Sequence, residues 1–316
     1  MNAAASTSAK AVSPRRRRGW QLIWKYRYLY GLVLPGTVYF IVYKYIPLLG
    51  SIVAFQYYNP FRGFLHSPWA GLAHFRTIFD NREVVQVLFN TLLLSLLQIG
   101  FAFPAPIVLA LMLNEARSDF FKRAVQSIVY LPHFLSWVVI VSITTVFLQS
   151  EGLVNKLLHA AFGMEPVYFL TTPAFFQPLL VLQVVWKEMG WGTVIFLAAL
   201  AGVNSDLYEA AVVDGANRLR RIWHITLPAI RSTAVILLIL RLGTVLDSGF
   251  EQIFLMLNAY VMEVGNVLDT YAYYKGILQG DLSFGAAVGL FKSIVGLMLV
   301  LLANRLSKRF GEEGIY

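Results

Sequence analysis

A few side chains able to do chemistry interrupt the long apolar runs of this sequence. Trp186, Lys187, Glu188 and Trp191 stand together within QPLLVLQVVWKEMGWGTVIFLAALAGV. Asp247 and Glu251 lie in the next apolar run, four residues apart, which in a helix puts both on one face. Lys292 stands alone near the middle of the last run. Aromatic faces beside hydrogen-bonding groups suit a sugar, because a pyranose ring has an apolar C–H side and a polar rim. Lys187 and Lys292 are also suited to receive the carboxylates of an acidic sugar by charge-assisted hydrogen bonds. Ionisable groups inside a membrane often pair with one another, so the same residues equally suit structural pairs between helices. As a third use, Asp247 or Glu251 could serve as the coupling carboxylate of an ion-driven carrier.

Chemistry of other kinds lacks its residues. No G-x-x-x-x-G-K-[ST] loop is present to cradle ATP phosphates. G-x-S-x-G and H-E-x-x-H are also missing. His66, His74, His133, His159 and His224 lie far apart without metal-ligand spacing, so no metal and no enzymatic activity are expected. With no cysteine, disulfides and thiol chemistry are excluded.

The elements that must position these residues are membrane spans. The chain is 58% hydrophobic and 14% charged, with a mean hydropathy of +0.63, too apolar for a soluble domain of 316 residues. A spanning helix needs about 20 apolar residues, and six stretches qualify: 29–55, 85–113, 128–149, 177–203, 229–257 and 285–304. RRRR at 15–18 is not followed by a cleavable signal, so the first span is expected to act as an uncleaved anchor. Lys and Arg divide 16 to 5 between alternate connecting segments. By the positive-inside rule both termini are cytoplasmic, which requires an even number of spans. The net charge of +9 thus reflects topology, with RRRR against anionic lipid headgroups and no nucleic-acid partner expected. Gly285, Gly289, Ser293 and Gly296 form a small-residue stripe that predicts a packing face and turns Lys292 toward protein.

Residues 209–228, EAAVVDGANRLRRIWHITLP, lie between two spans on the cytoplasmic side. Asp206 and Glu209 have capping-box spacing and predict a short helix starting at Asp206. Ala210 and Ala211 leave its surface thin, Gly215 stops it in the left-handed region, and a second helix is expected over 216–225. Pro228 suits the first turn of the next span. The result is a helix-turn-helix elbow facing the cytoplasm, which by shape alone could also be an amphipathic interfacial connector.

Glu209-Ala210-Ala211, then Gly215, Ile225 and Leu227-Pro228, resembles the EAA signature of binding-protein-dependent ABC importer permeases, and Asp214 and Ala216 also fit it. SPWAGLAHF (67–75), FNT (89–91) and LNEARSDFFKRAVQSIVYLPHFLSW (113–137) resemble the carbohydrate-uptake branch, in particular permeases for aldouronate, rhamnogalacturonan or alginate oligosaccharides. The resemblance implies an all-α fold of six transmembrane helices with type I importer topology. It divides the chain into a basic cytoplasmic segment (1–28), a permease domain (29–308, with the EAA loop at 204–228) and a cytoplasmic tail (309–316). It further implies a bacterial inner-membrane location and ATPase coupling through residues 209–228. The partners it implies are a second permease forming a heterodimer, a dimer of ATP-binding subunits that hold ATP and Mg, an extracytoplasmic solute-binding protein and an oligosaccharide substrate.

Overall fold

The computed structural model describes residues 24–309, Gly311 and Gly314; RRRR and most of the expected C-terminal tail lie outside the described residues. Among the described residues the regular structure is helical, with a single isolated bridge between Gln56 and Trp69. Six helices are long and apolar enough to span a membrane: Arg27–Phe55, Arg82–Glu115, Trp137–Phe162, Pro173–Ala201, Arg218–Gly243 and Leu282–Arg309. Residues up to Ile52 form one compact unit and Val53 onward a second.

In three spans a proline follows a widened π-turn without breaking the helix. A proline lacks an N–H and clashes with the carbonyl four residues before it. Here each is preceded by one widened π-turn, Ile41–Tyr45 before Pro47, Gln98–Ala102 before Pro104, and Ile222–Thr226 before Pro228. The residue ahead of each proline (Ile46, Phe103, Leu227) donates its N–H five residues back, which carries the ladder past the gap. The elbow's second helix is therefore not a separate 216–225 segment. It begins at Arg218, capped by Asn217, and runs without interruption to Gly243.

Two expected spans are instead broken. The stretch 128–149 is not one helix: an amphipathic helix Asp119–Tyr130 ends in a 3₁₀ turn, Leu131–Phe134, and a new helix, Trp137–Leu148, starts at Ser136, whose Oγ accepts from the Val139 N–H. Pro132 lies in that turn and removes a donor from the helical ladder. Val129 abuts Gly190, the eighteenth of the 29 residues in Pro173–Ala201, so the break packs against the fourth span. A Cβ on Gly190 would fall 1.9 Å from the Val129 carbonyl oxygen, so only glycine permits this approach.

The stretch 229–257 also breaks. Its helix stops at Gly243, and Phe250–Met256 begins after Gly249, which has φ +92. From there to residue 281 the chain folds as short helices and irregular turns, and its backbone polar groups are met by buried side chains. Asn90 Nδ2 donates to the carbonyls of Glu263 (2.7 Å) and Asn266 (3.0 Å). Gln252 Nε2 donates to the Leu180 carbonyl and to Gln183 Oε1, and the Leu268 N–H donates to Thr91 Oγ1. Buried backbone outside regular helix must find such partners. At the edge of this region the Tyr271 hydroxyl donates to Glu83. Burial first, and then the charge and hydrogen bond of Glu83, push the phenol up to about 12.

Candidate functional site

The second, fourth and fifth spans enclose a cleft of about 420 Å³. Its lining is mostly apolar (Phe103, Pro106, Phe196, Leu240) with a few polar groups: Gln98, Glu188, Trp191 and Arg241. A concave, largely apolar site with few polar groups is what a small-molecule ligand requires. Glu188 and Trp191, both expected from the sequence, are three residues apart on one helix and meet here.

The wall behind them comes from the break in the third span. The His133 ring stacks on the Trp191 indole with centroids 4.7 Å apart and planes 3° from parallel. Its Nδ1 lies 2.9 Å from Glu188 Oε2. Across the cleft, Arg241 Nη2 donates to Gln98 Oε1, and Gln98 Nε2 reaches the Ser248 carbonyl at 3.4 Å. Arg241 and His133 were not singled out in the sequence. An arginine within an apolar run is a signal that could have found the first; nothing local marks the second.

The other expected path residues are placed differently. Trp186 is exposed and lies off the cleft lining. Lys187 is buried and turned away, its Nζ donating to the carbonyls of His133 (2.8 Å) and Leu135 (2.5 Å) beneath the Trp137 ring. Asp247 and Glu251 do not share a helix face: Asp247 lies in the Thr244–Gly249 break and Glu251 in the first turn of Phe250–Met256. Lys292, only 12% exposed, is held by Asp247 and by Asp269 of the helix Leu268–Ala272. The pairing reading holds for Lys292, and its second partner was hidden in a stretch read only as a loop. Of the small-residue stripe, Gly296 packs on Gly243 and Gly285 on Gly276, whereas Gly289 and Ser293 stay exposed. Among the described residues no group of His, Cys, Asp or Glu could hold a metal ion.

At the other end of the fifth span lies the elbow. Its first helix is Ser205–Val213, one residue earlier than expected, and its N-cap is Asn204, whose side chain accepts from the Asp206 N–H at 3.0 Å; Asp206 is inside the helix. Gly215 has φ +73, as the sequence requires. Glu209, Ala210, Asp214, Gly215 and Pro228 are exposed, and Ala211, Ala216, Ile225 and Leu227 are half-buried. Tyr208 reaches from the first helix to hydrogen-bond buried Thr226 at 3.1 Å, tying the elbow to the base of the fifth span. Around the turn Val213 is 87% exposed and Leu219 and Trp223 are 67% exposed, an apolar surface unusual at the end of a charged segment.

Residues 102–312 match the family model described as the binding-protein-dependent transport system inner membrane component. The chain is 52% identical over 291 residues to the polygalacturonan/rhamnogalacturonan transport system permease protein YteP of Bacillus subtilis (strain 168), covering 92% of this chain and 90% of that one. It is 50% identical over 291 residues to Protein LplB of the same organism, covering 92% and 91%. Among solved structures, a bacterial ABC transporter involved in the import of the acidic polysaccharide alginate superposes with a TM-score of 0.86 at 40% identity, covering 92% of this chain and 99% of that one. A second structure of a bacterial alginate ABC transporter, in complex with an alginate pentasaccharide-bound periplasmic protein, gives a TM-score of 0.87 at 39% identity over 94% of this chain and 99% of that one.

Proposed function

This chain belongs to the family of binding-protein-dependent transport system inner membrane components, and from that premise we propose how it works as part of an importer. It is a multi-pass permease of an ABC sugar importer. In our reading it pairs with a second, different permease and with two ATP-binding subunits that hold ATP and Mg. A solute-binding protein delivers an acidic oligosaccharide released from a polysaccharide. Closure of the ATPase dimer moves the Ser205–Val213 helix and opens the path outward; hydrolysis returns it toward the cytoplasm. The ligand can shift this equilibrium only through its different affinity for the two states.

One observation carries the reading of the coupling site. A positive-φ glycine at 215 joins the short Ser205–Val213 helix to the base of the fifth span, and exposed Val213, Leu219 and Trp223 surround it. An interfacial connector would need the apolar face but not the thin, charged turn beside it.

For the substrate, the observation is Arg241. Lys187 and Lys292 are engaged by carbonyls and carboxylates respectively, whereas Arg241, which donates to the neutral amide oxygen of Gln98, lines the same cleft as Trp191. We assign the role of carboxylate receiver, first expected of the two lysines, to Arg241. Arg241→Gln is expected to lower uptake of a galacturonate oligomer by reconstituted complexes about tenfold or more, as loss of one charge-assisted pair implies. Uptake of a neutral oligosaccharide of equal length should fall by less than half as much on a logarithmic scale. Equal losses for both would exclude Arg241 as the source of acid selectivity.

Membrane orientation follows from the charge asymmetry between connecting segments, and the cysteine-free chain allows a direct test. A cysteine replacing exposed Ser205 should be protected from an impermeant thiol reagent in intact cells. One replacing Phe61, which is 100% exposed, should react. Ser67 is unsuitable because it is buried and its hydroxyl donates to the Gly63 carbonyl. External labelling at Ser205 would contradict the orientation.

A further inference from the structure

We infer that Lys187 is a positioning residue: its buried ammonium closes the break in the third span and thereby fixes the His133–Trp191 wall of the cleft. This rests on the reading of the cleft as the sugar path. The observations form one chain of contacts. The backbone from Leu131 to Ser136 leaves the helical ladder beside the fourth span, and a buried backbone group left unmet costs free energy comparable to a lost hydrogen bond. Lys187, only 8% exposed, supplies donors to two of those carbonyls, at His133 and Leu135. Its charge also lies at the C-terminal end of the Asp119–Tyr130 helix and its 3₁₀ extension, where a cation is favoured by the helix dipole. The residue whose carbonyl it holds is the one whose imidazole lies flat on Trp191 and bonds Glu188. Trp191 and Glu188 line the cleft; Lys187 does not.

A lysine in this position acts on the ligand only through the backbone of His133. Without it, the 131–136 turn must satisfy its carbonyls by rewinding or shifting. Either change moves the imidazole off the indole and leaves Glu188 without its partner. A side chain retained only for stability would have no reason to alter what the cleft selects.

The test uses the reconstituted complex with both permeases, the ATPase and the binding protein, and a galacturonate oligomer as probe. Lys187→Met should raise the half-saturating concentration for stimulated ATP hydrolysis roughly tenfold, the cost of losing one well-formed wall contact. It should also change the tryptophan emission assigned to Trp191 by difference against Trp191→Phe. Lys187→Arg, which keeps charge and donors, should recover most of both signals. In the Trp191→Phe background, Lys187→Met should add less than about twofold, because the two lesions share one path. Full additivity, or an unchanged Trp191 emission, overturns the inference. If Lys187→Met does not assemble, Lys187→Gln, whose amide offers two donors without charge, is measured by the same two readouts and judged the same way. Trp191→Ala separates the two claims. If it leaves the half-saturating concentration unchanged, the cleft reading fails, while the emission still decides whether Lys187 positions the stack.

Discussion

Gly215→Asp is expected to abolish coupled transport while leaving the permease inserted and paired. Within this chain there is room for the new side chain: a Cβ at Gly215 meets nothing within 4 Å. Backbone strain at φ +73 costs about 1 kcal/mol, and aspartate tolerates that region better than most residues. Folding should therefore survive. The loss arises at the docking surface, where a new carboxylate enters the thin turn between Ala211 and Arg218. Glu209→Ala removes one charge from a small, hydrated contact and should give only partial loss, at most a few kcal/mol of binding. Co-purification of the ATPase and substrate-stimulated hydrolysis in proteoliposomes measure both. Full coupled hydrolysis in both variants would reduce the elbow to an interfacial connector.

Gly190→Ala should produce the largest structural effect of any single methyl group in the permease. Helix propensity alone favours alanine by about 1 kcal/mol. Against this, the added Cβ would stand 1.9 Å from the Val129 oxygen and 2.5 Å from its carbon, both backbone atoms that no rotamer change can move. Overpacking of this kind costs about 1–3 kcal/mol or more, and the neighbouring 131–136 turn must shift with it. The expected result is a marked fall in the melting temperature of the purified complex and loss of uptake. Gly289→Ala is the matched control: its Cβ meets nothing within 4 Å, so propensity decides, and the complex should be unchanged or slightly more stable. Equal melting temperatures for Gly190→Ala and the parent would contradict the packing of the Asp119–Tyr130 helix against the fourth span.

Hydropathy carried the number of spans because apolar length is a property of composition. It could not carry their interruptions. An average over 128–149 passes through Pro132 and Ser136 without registering that the helix stops, and 229–257 likewise runs through Gly243. The conformation of Gly215 was legible because a single residue type answers a single backbone need. The partners of Lys187 were not, because they are carbonyls, which every residue carries and no pattern marks. Asp269 escaped notice for another reason. A mid-span lysine demands a counter-charge, and besides Asp247 the structure draws one from the folded connection between the fifth and sixth spans, where apolar patterning marks nothing. Asp206 was displaced from its expected capping role by the neighbouring Asn204, an equally good cap in sequence terms.

The fifth span is one unbroken rod from Arg218 to Gly243, widened by a single turn near its base. Tyr208 is fastened to it at Thr226, and Arg241 projects from it into the cleft. At 1.5 Å per residue, Thr226 and Arg241 are about 22 Å apart along the axis. A rod of that length tilting by ~5° carries its far end about 2 Å, enough to bring a guanidinium into or out of hydrogen-bonding range of a carboxylate. On the proposed reading, the grip on an acidic sugar and the push from the cytoplasm would be two ends of one lever, and loosening the hold at one end would require no signal beyond the rotation of the other.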